Sequence, residues 1–104
     1  MNSSRPYLLR GLYEWIVENN CTPYIAVNAM RDDVAVPQQY VQDGQIVLNI
    51  SPGAVRDLAL GNEEINCSCR FDGKPFAIAV PVDAVMAIYA RENGRGMVFE
   101  EDDE

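Results

Sequence analysis

The sequence predicts a mainly β fold with one N-terminal α-helix: a small antiparallel β-barrel, closed or nearly closed, capped at one open end by the helix. Three observations carry this expectation. Apolar residues recur with a helical period between Leu8 and Val17, then with a period of two from Tyr24 onward. Two Asp-Gly steps, Asp43-Gly44 and Asp72-Gly73, each separate alternating runs, the strongest short-range signal for a hairpin. The 104 residues, 48% of them hydrophobic and 23% charged, can form a single core without metal or disulfide staples.

In chain order, Ser3 or Ser4 caps a helix with Pro6 in its first turn, and Asn19, Asn20, Thr22 and Pro23 end it. At about 100° per residue, Leu8, Leu9, Leu12, Trp15 and Ile16 form one broad stripe suited to covering a sheet. A second flank gathers Tyr7, Gly11, Glu14 and Glu18. Gly11 in mid-helix costs about 1 kcal/mol against Ala. It is either a tolerated surface glycine or the point where a second helix approaches across a dimer axis, which makes Tyr7, Gly11 and Glu14 candidate interface residues.

After Pro23 come the strands. Tyr24 to Met30 alternates, with Ile25, Val27 and Ala29 on one face. Gln38 to Gln42 and Gln45 to Ile50 flank the first Asp-Gly step as the arms of a hairpin. Leu58 and Leu60 mark a short strand between turn signals at Ser51-Pro52-Gly53 and Gly61-Asn62. Ile65, Cys67, Cys69 and Phe71 share one face of a strand that the second Asp-Gly step joins to Phe76, Ile78 and Val80. Ala84 to Ala90 reads as a turn followed by a strand, although Asp83 before it and Asn93-Gly94 after it are also helix-capping signals. Residues 1–4 read as a disordered N-terminus, 5–99 as the folded domain, and 100–104 as the start of an acidic flexible tail.

Charge and composition remove several function classes. Eight Lys plus Arg stand against sixteen Asp plus Glu, a net of −8, and five of those acids are Glu100, Glu101, Asp102, Asp103 and Glu104, leaving −3 for the rest. That balance argues against a sequence-independent nucleic-acid binder and against an anionic-membrane anchor. No apolar run approaches the roughly 18 residues of a spanning helix, and the N-terminus lacks the order of a signal peptide, so a cytoplasmic location is expected. The sequence holds no His, the usual general base near neutral pH and the commonest metal ligand. Cys21, Cys67 and Cys69 are odd in number and without framework spacing, as expected of buried thiols in a reducing compartment. No phosphate-binding glycine loop or nucleophile elbow is present, and Glu63-Glu64 diverge on an extended chain, so no enzyme, cofactor or metal is expected.

The polar residues that remain oddly placed are Asn66, Ser68 and Arg70 on one strand face and the segment Asn49 to Arg56. Arg70 beside Ser68 and Ala54 suits an extended peptide held by main-chain bonds and a few side-chain pockets. The candidate peptide-binding set is Asn49, Ser51, Ala54, Val55, Arg56, Ser68 and Arg70. An ordinary solvated sheet face accounts for the same pattern.

Longer strings carry a resemblance. Arg5-Pro-Tyr-Leu-Leu-Arg10, Tyr13-Glu-Trp15, Thr22-Pro23, Asp43-Gly-Gln-Ile-Val-Leu-Asn-Ile50, Arg70-Phe71 and Ala87-Ile-Tyr-Ala-Arg-Glu-Asn-Gly94 resemble the stringent starvation protein B family, in register from Arg5 to Phe99. The resemblance implies an Sm-like barrel, a homodimer joined through the N-terminal helix, and one groove per subunit. That groove binds the ssrA tag of stalled nascent chains, for delivery to the ClpXP protease. It also implies a long tail that docks on the ClpX unfoldase, and this chain stops at Glu104, where the acidic linker would begin, so tag binding without the docking tail is the expectation. An Sm-like barrel that binds RNA is the alternative from another class, and a dimeric scaffold for some other peptide is a third. Against RNA stands the absence of any segment that interleaves Arg or Lys with aromatic residues.

Overall fold

The computed structural model describes residues 1–100, so the tail expected at 100–104 lies, apart from Glu100, outside the described residues. Helix α1 runs Arg5–Glu18 with Pro6 in its first turn, as the capping signals require. Ser4 is the residue at the cap, but the hydroxyl that serves is that of Ser3, which accepts from the Arg5 amide at 3.1 Å. At the other end Asn20 adopts a left-handed conformation (φ 59°), and the Cys21 amide returns to the Ile16 carbonyl at 3.0 Å.

The buried side of α1 is narrower than its apolar composition suggests. Leu9 and Ile16 are buried, with Leu12 and Tyr13 packed beside them, whereas Leu8 is 36% and Trp15 45% exposed. These two correct the single broad stripe. They lie roughly 90° and 110° around the helix from the axis through Leu9 and Ile16, next to the flank of Tyr7, Gly11, Glu14 and Glu18, all exposed.

Seven strands follow: β1 (Pro23–Asn28), β2 (Gln45–Asn49), β3 (Val55–Leu60), β4 (Glu64–Phe71), β5 (Lys74–Pro81), β6 (Val85–Ala90) and β7 (Gly96–Val98). They form two antiparallel sheets, ordered β2-β1-β6-β7 and β3-β4-β5. Among the described residues the ladder does not close into one barrel, because β2 and β3 are both free edges. The sheets share one core, with Ile25, Val27, Ile65, Val80, Val85 and Ile88 each at most 1% exposed. A further link runs through Ala35, whose amide and carbonyl pair with those of Ala79 at 2.8 and 3.2 Å.

Both Asp-Gly steps form turns with two successive left-handed residues: Asp43 and Gly44 at φ 54° and 77°, Asp72 and Gly73 at 54° and 78°. The second joins β4 to β5 in full register from Glu64↔Pro81 to Phe71↔Lys74. The first differs from the expected hairpin. Its leading arm pairs only at Gln42↔Gln45, and Gln38–Tyr40 form a 3-10 turn. Tyr40 explains the detour: its ring lies against Phe71, with centroids 5.0 Å apart, and its hydroxyl donates to the Asp72 carboxylate, so this segment is held on the β4–β5 turn rather than on β2. The ambiguous Ala84 to Ala90 region is a 3-10 turn, Val82–Ala84, leading directly into β6.

One feature escaped the sequence reading. Arg5 is 3% exposed, donating to the carbonyls of Asp83, Val85 and Glu100, with its guanidinium carbon 5.1 Å from the centre of the Phe99 ring.

Candidate peptide-binding groove

The groove is built on the free-edge strand β3, its partner β4 and the turn that precedes them. Asn49 accepts the Ser51 amide on its side-chain oxygen at 3.0 Å, and the Ser51 carbonyl in turn accepts the amides of Ala54 and Val55 at 3.0 and 3.3 Å. This local bonding is what Asn and Ser do at turns. It brings Gly53 and Ala54 to the end of β3.

The β3–β4 ladder then sets which residues share a face. Val55 pairs with Cys69 and Arg56 with Ser68, but the next pair is Ala59↔Asn66, so Asp57 and Leu58 oppose a single residue. Asp57 takes the left-handed conformation (φ 57°) that such a bulge needs. On the far side of β4, Ser68 pairs with Ala77 and Arg70 with Pro75. One row therefore reads Arg56, Ser68, Ala77, and the next holds Arg70 and Pro75.

A groove of about 590 Å³ opens here, lined by Gly53, Ala54, Arg56, Ser68, Arg70 and Pro75 together with Val55 and Cys69. Of the sequence-predicted set, Ala54, Val55, Arg56, Ser68 and Arg70 come together on it. Asn49 and Ser51 do not line it; they form the turn behind it. Val55 is 8% exposed and belongs to the core. Gly53 falls within the Asn49 to Arg56 segment but outside the named set; Cys69 and Pro75 were not anticipated, although β-strand alternation and cross-strand register would have pointed to Pro75 once the hairpin was fixed.

Arg70 donates one guanidinium nitrogen to the Gly73 carbonyl at 2.8 Å, which ties it to its own turn. Among the described residues the ion pairs join Arg31 to Asp33 and Asp83, and Arg91 to Glu92; none involves Arg56 or Arg70. The groove thus presents two cations, Arg56 and Arg70, that form no ion pair among the described residues, on a chain of net charge −8.

Cys69, which lines the groove, and Cys67 in the core beneath it are poor nucleophiles. Burial pushes Cys67 up to about 11, with Cys69 beside it adding to the effect, and burial raises Cys69 as well. All three cysteines are free. Among the described residues no group of three or more His, Cys, Asp or Glu is placed to hold a metal, and no helix is long and apolar enough to cross a membrane. What the arrangement can do is bind: small residues leave room for a backbone, and two cations sit at its sides, Arg70 held by Gly73.

The candidate interface residues lie apart from this groove, on α1. Tyr7 is 53% exposed, and a Cβ placed on Gly11 would meet nothing within 4 Å. Leu8 and Trp15 extend the same exposed flank, which also carries Glu14.

Comparison with known proteins agrees with the strings quoted above. The sequence profile of stringent starvation protein B matches residues 3–104. A stringent starvation protein B homolog from Haemophilus influenzae is 51% identical over 96 residues, which cover 92% of this chain and 64% of that relative. The chain thus spans under two thirds of the length of that relative. With the profile covering nearly every residue, the chain belongs to the stringent starvation protein B family.

Proposed function

We propose that this chain is the substrate-binding domain of a proteolytic adaptor: it holds the ssrA tag of stalled nascent chains in the groove between the Gly53–Ala54 turn and β4, and the whole protein delivers tagged chains to the ClpXP protease. No reaction is catalysed and no cofactor is used. The observation that carries the reading is the convergence of Ala54, Arg56, Ser68 and Arg70 on one open groove, in a chain of this family. An extended peptide bound there gains main-chain bonds along the free edge of β3 and a charge-assisted bond from Arg70 to an acidic side chain.

The chain acts in the cytoplasm, where tagged chains arise, and as a homodimer. Support for the dimer is the exposed flank of Tyr7, Leu8, Gly11 and Trp15, where a glycine lets a second helix approach closely and Glu14 sits at the rim. Two linked binding domains raise the effective concentration of substrate at a multi-subunit partner.

Fluorescence anisotropy of a labelled ssrA peptide with the purified chain tests the reading, with a scrambled peptide and a short RNA as controls. Saturable binding of the tag alone is the expected result. Equal binding of the scrambled peptide, or preferential binding of RNA, would overturn it.

A further inference from the structure

We infer that Cys67 and Cys69 form a two-coordinate site for a soft monovalent cation of the copper(I) and silver(I) class, entered from the groove. The inference stands independently of the peptide-binding reading above.

Positions 67 and 69 alternate onto one face of β4, between Ile65 and Phe71, with Ile78 and Phe76 opposite them on β5 and Val55 opposite Cys69 on β3. Both thiols therefore share one apolar surround. Cys67, Ile65, Ile78 and Val55 are buried, while Cys69 is half-buried and lines the groove of about 590 Å³, which gives an ion a path to the pair. Beneath the dominant effect of burial, the two thiols also act on each other, through charge and through a hydrogen bond.

The same geometry excludes the other fates of a thiol pair. Residues two apart on a strand have Cα atoms about 6.8 Å apart and parallel side chains, whereas a disulfide needs Cβ atoms within about 4.5 Å, so a direct S–S bond does not close without moving the strand. A bridging ion asks for less. Two in-line metal–sulfur bonds, each about the 2.3 Å of a zinc thiolate, set the sulfurs about 4.6 Å apart. Zinc itself takes four ligands, and among the described residues no group of three or more His, Cys, Asp or Glu is placed to supply them. Hard cations need oxygen ligands, which the apolar side chains facing the pair do not offer.

As the ion binds, each thiol releases its proton to solvent and keeps the electron pair that becomes its bond to the metal. Two protons leave and one cation enters, so the complex carries one negative charge. Arg56 and Arg70, which form no ion pair among the described residues, line the same groove as Cys69 and supply positive potential on that side. Burial makes these thiols poor nucleophiles because it disfavours a free thiolate. A bound ion takes the proton's place, and no free thiolate is left to solvate.

Silver(I) nitrate and, under nitrogen, copper(I) are titrated into wild type, Cys21→Ala, Cys67→Ala and Cys69→Ala in chloride-free buffer, against a competing chelator of known affinity. Intact-protein mass spectrometry counts the ions. One tightly held ion is expected on wild type and on Cys21→Ala. Either of the other variants should hold it at least about a hundredfold more weakly, because losing a group that merely supports a metal ligand already costs roughly 10- to 100-fold. Zinc, titrated in parallel, should not be retained. Wild-type affinity in Cys69→Ala overturns the inference, as does uptake that is lost with Cys21, or zinc held as tightly as silver. Should Cys67→Ala fold poorly, Cys69→Ala, changed at a half-buried position, decides alone.

Discussion

The Arg5 guanidinium donates to the Val85 carbonyl at 3.2 Å, joining the first turn of α1 to the start of β6 across 80 positions of sequence. Among the described residues no carboxylate forms an ion pair with it. Its other partners are the carbonyls of Asp83 and Glu100 and the face of Phe99, and Nε is left unpaired. A buried cation held only by carbonyl dipoles and an aromatic face survives because each bond is charge-assisted and poorly screened.

Replacing Arg5 by Ala strips three carbonyls of their donor and removes the side chain on which Phe99 rests. A loss of about 3 kcal/mol is expected, the scale for breaking a buried polar network. Denaturant titration measures it, and a loss below about 1 kcal/mol would mean that water replaces the guanidinium. Hydrogen exchange should accelerate at the Phe99 amide, which is bonded to the Met86 carbonyl at 2.8 Å.

Gly96 makes the second prediction. A Cβ there would lie 1.9 Å from the Ile88 carbonyl oxygen and 2.6 Å from the Tyr89 Cα, both backbone atoms of β6. Gly96→Ala must therefore push β7 off the sheet edge and expose Phe99, at a cost of at least about 2 kcal/mol. Gly11→Ala, with open space around its Cβ, should be neutral or stabilising in the monomer. Thermal melts of the two variants side by side check the contrast.

Most of the fold was legible because its signals are local. The change of period at Pro23 and the two Asp-Gly turns mark the helix and the hairpins directly. The Gln38–Tyr40 segment was not, since what diverts it is a long-range contact from Tyr40 to Phe71 and Asp72. Arg5 was missed for a related reason: at a helix start it reads as a solvated cation, and only the return of Val85 and Glu100 to that end buries it. In the groove, Ser68 and Arg70 were read from strand alternation and Ala54 and Arg56 from the Asn49 to Arg56 segment, and all four line it, whereas Asn49 and Ser51 do not, because a sequence does not say which side of a turn a short polar residue faces.

Alkaline pH should weaken the fold through Cys67. Burial raises the thiol from its ordinary 9.0 to about 11 in the folded state, so between those values the unfolded chain has released a proton that the folded one retains. Stability is then full below pH 9 and falls as pH rises toward 11, by at most about 3 kcal/mol for this residue. Urea titrations at pH 8 and 10.5 of wild type and Cys67→Ala give the difference. The variant should be less stable at pH 8 and show a shallower decline; parallel declines would remove the thiol as the cause.

Gly11→Glu tests the proposed helix-joined dimer. The side chain meets no other atom in the monomer, so the fold tolerates it, but across a helix–helix interface it buries a carboxylate without a partner, at a cost of several kcal/mol. Sedimentation equilibrium should give a monomer with an unchanged melting temperature at concentrations where wild type is dimeric. A dimeric variant would move the interface off this flank.

Arg70 and Ala54 test the groove itself. Arg70 is exposed and already donates one nitrogen to Gly73, so a peptide carboxylate gains only its remaining donors, in partial competition with water. Arg70→Gln should weaken ssrA peptide binding by about 1 kcal/mol, roughly fivefold in Kd, with little change in melting temperature. Raising salt should hurt wild type more than the variant, because only wild type has that charge to screen. Ala54→Val acts by bulk instead. It narrows the groove at the turn and should weaken binding with no change in salt dependence. Equal peptide affinities for wild type and both variants would move the site to another face, the nearest alternative being the cleft between Tyr40, Phe71 and the free edge of β2 at Val47.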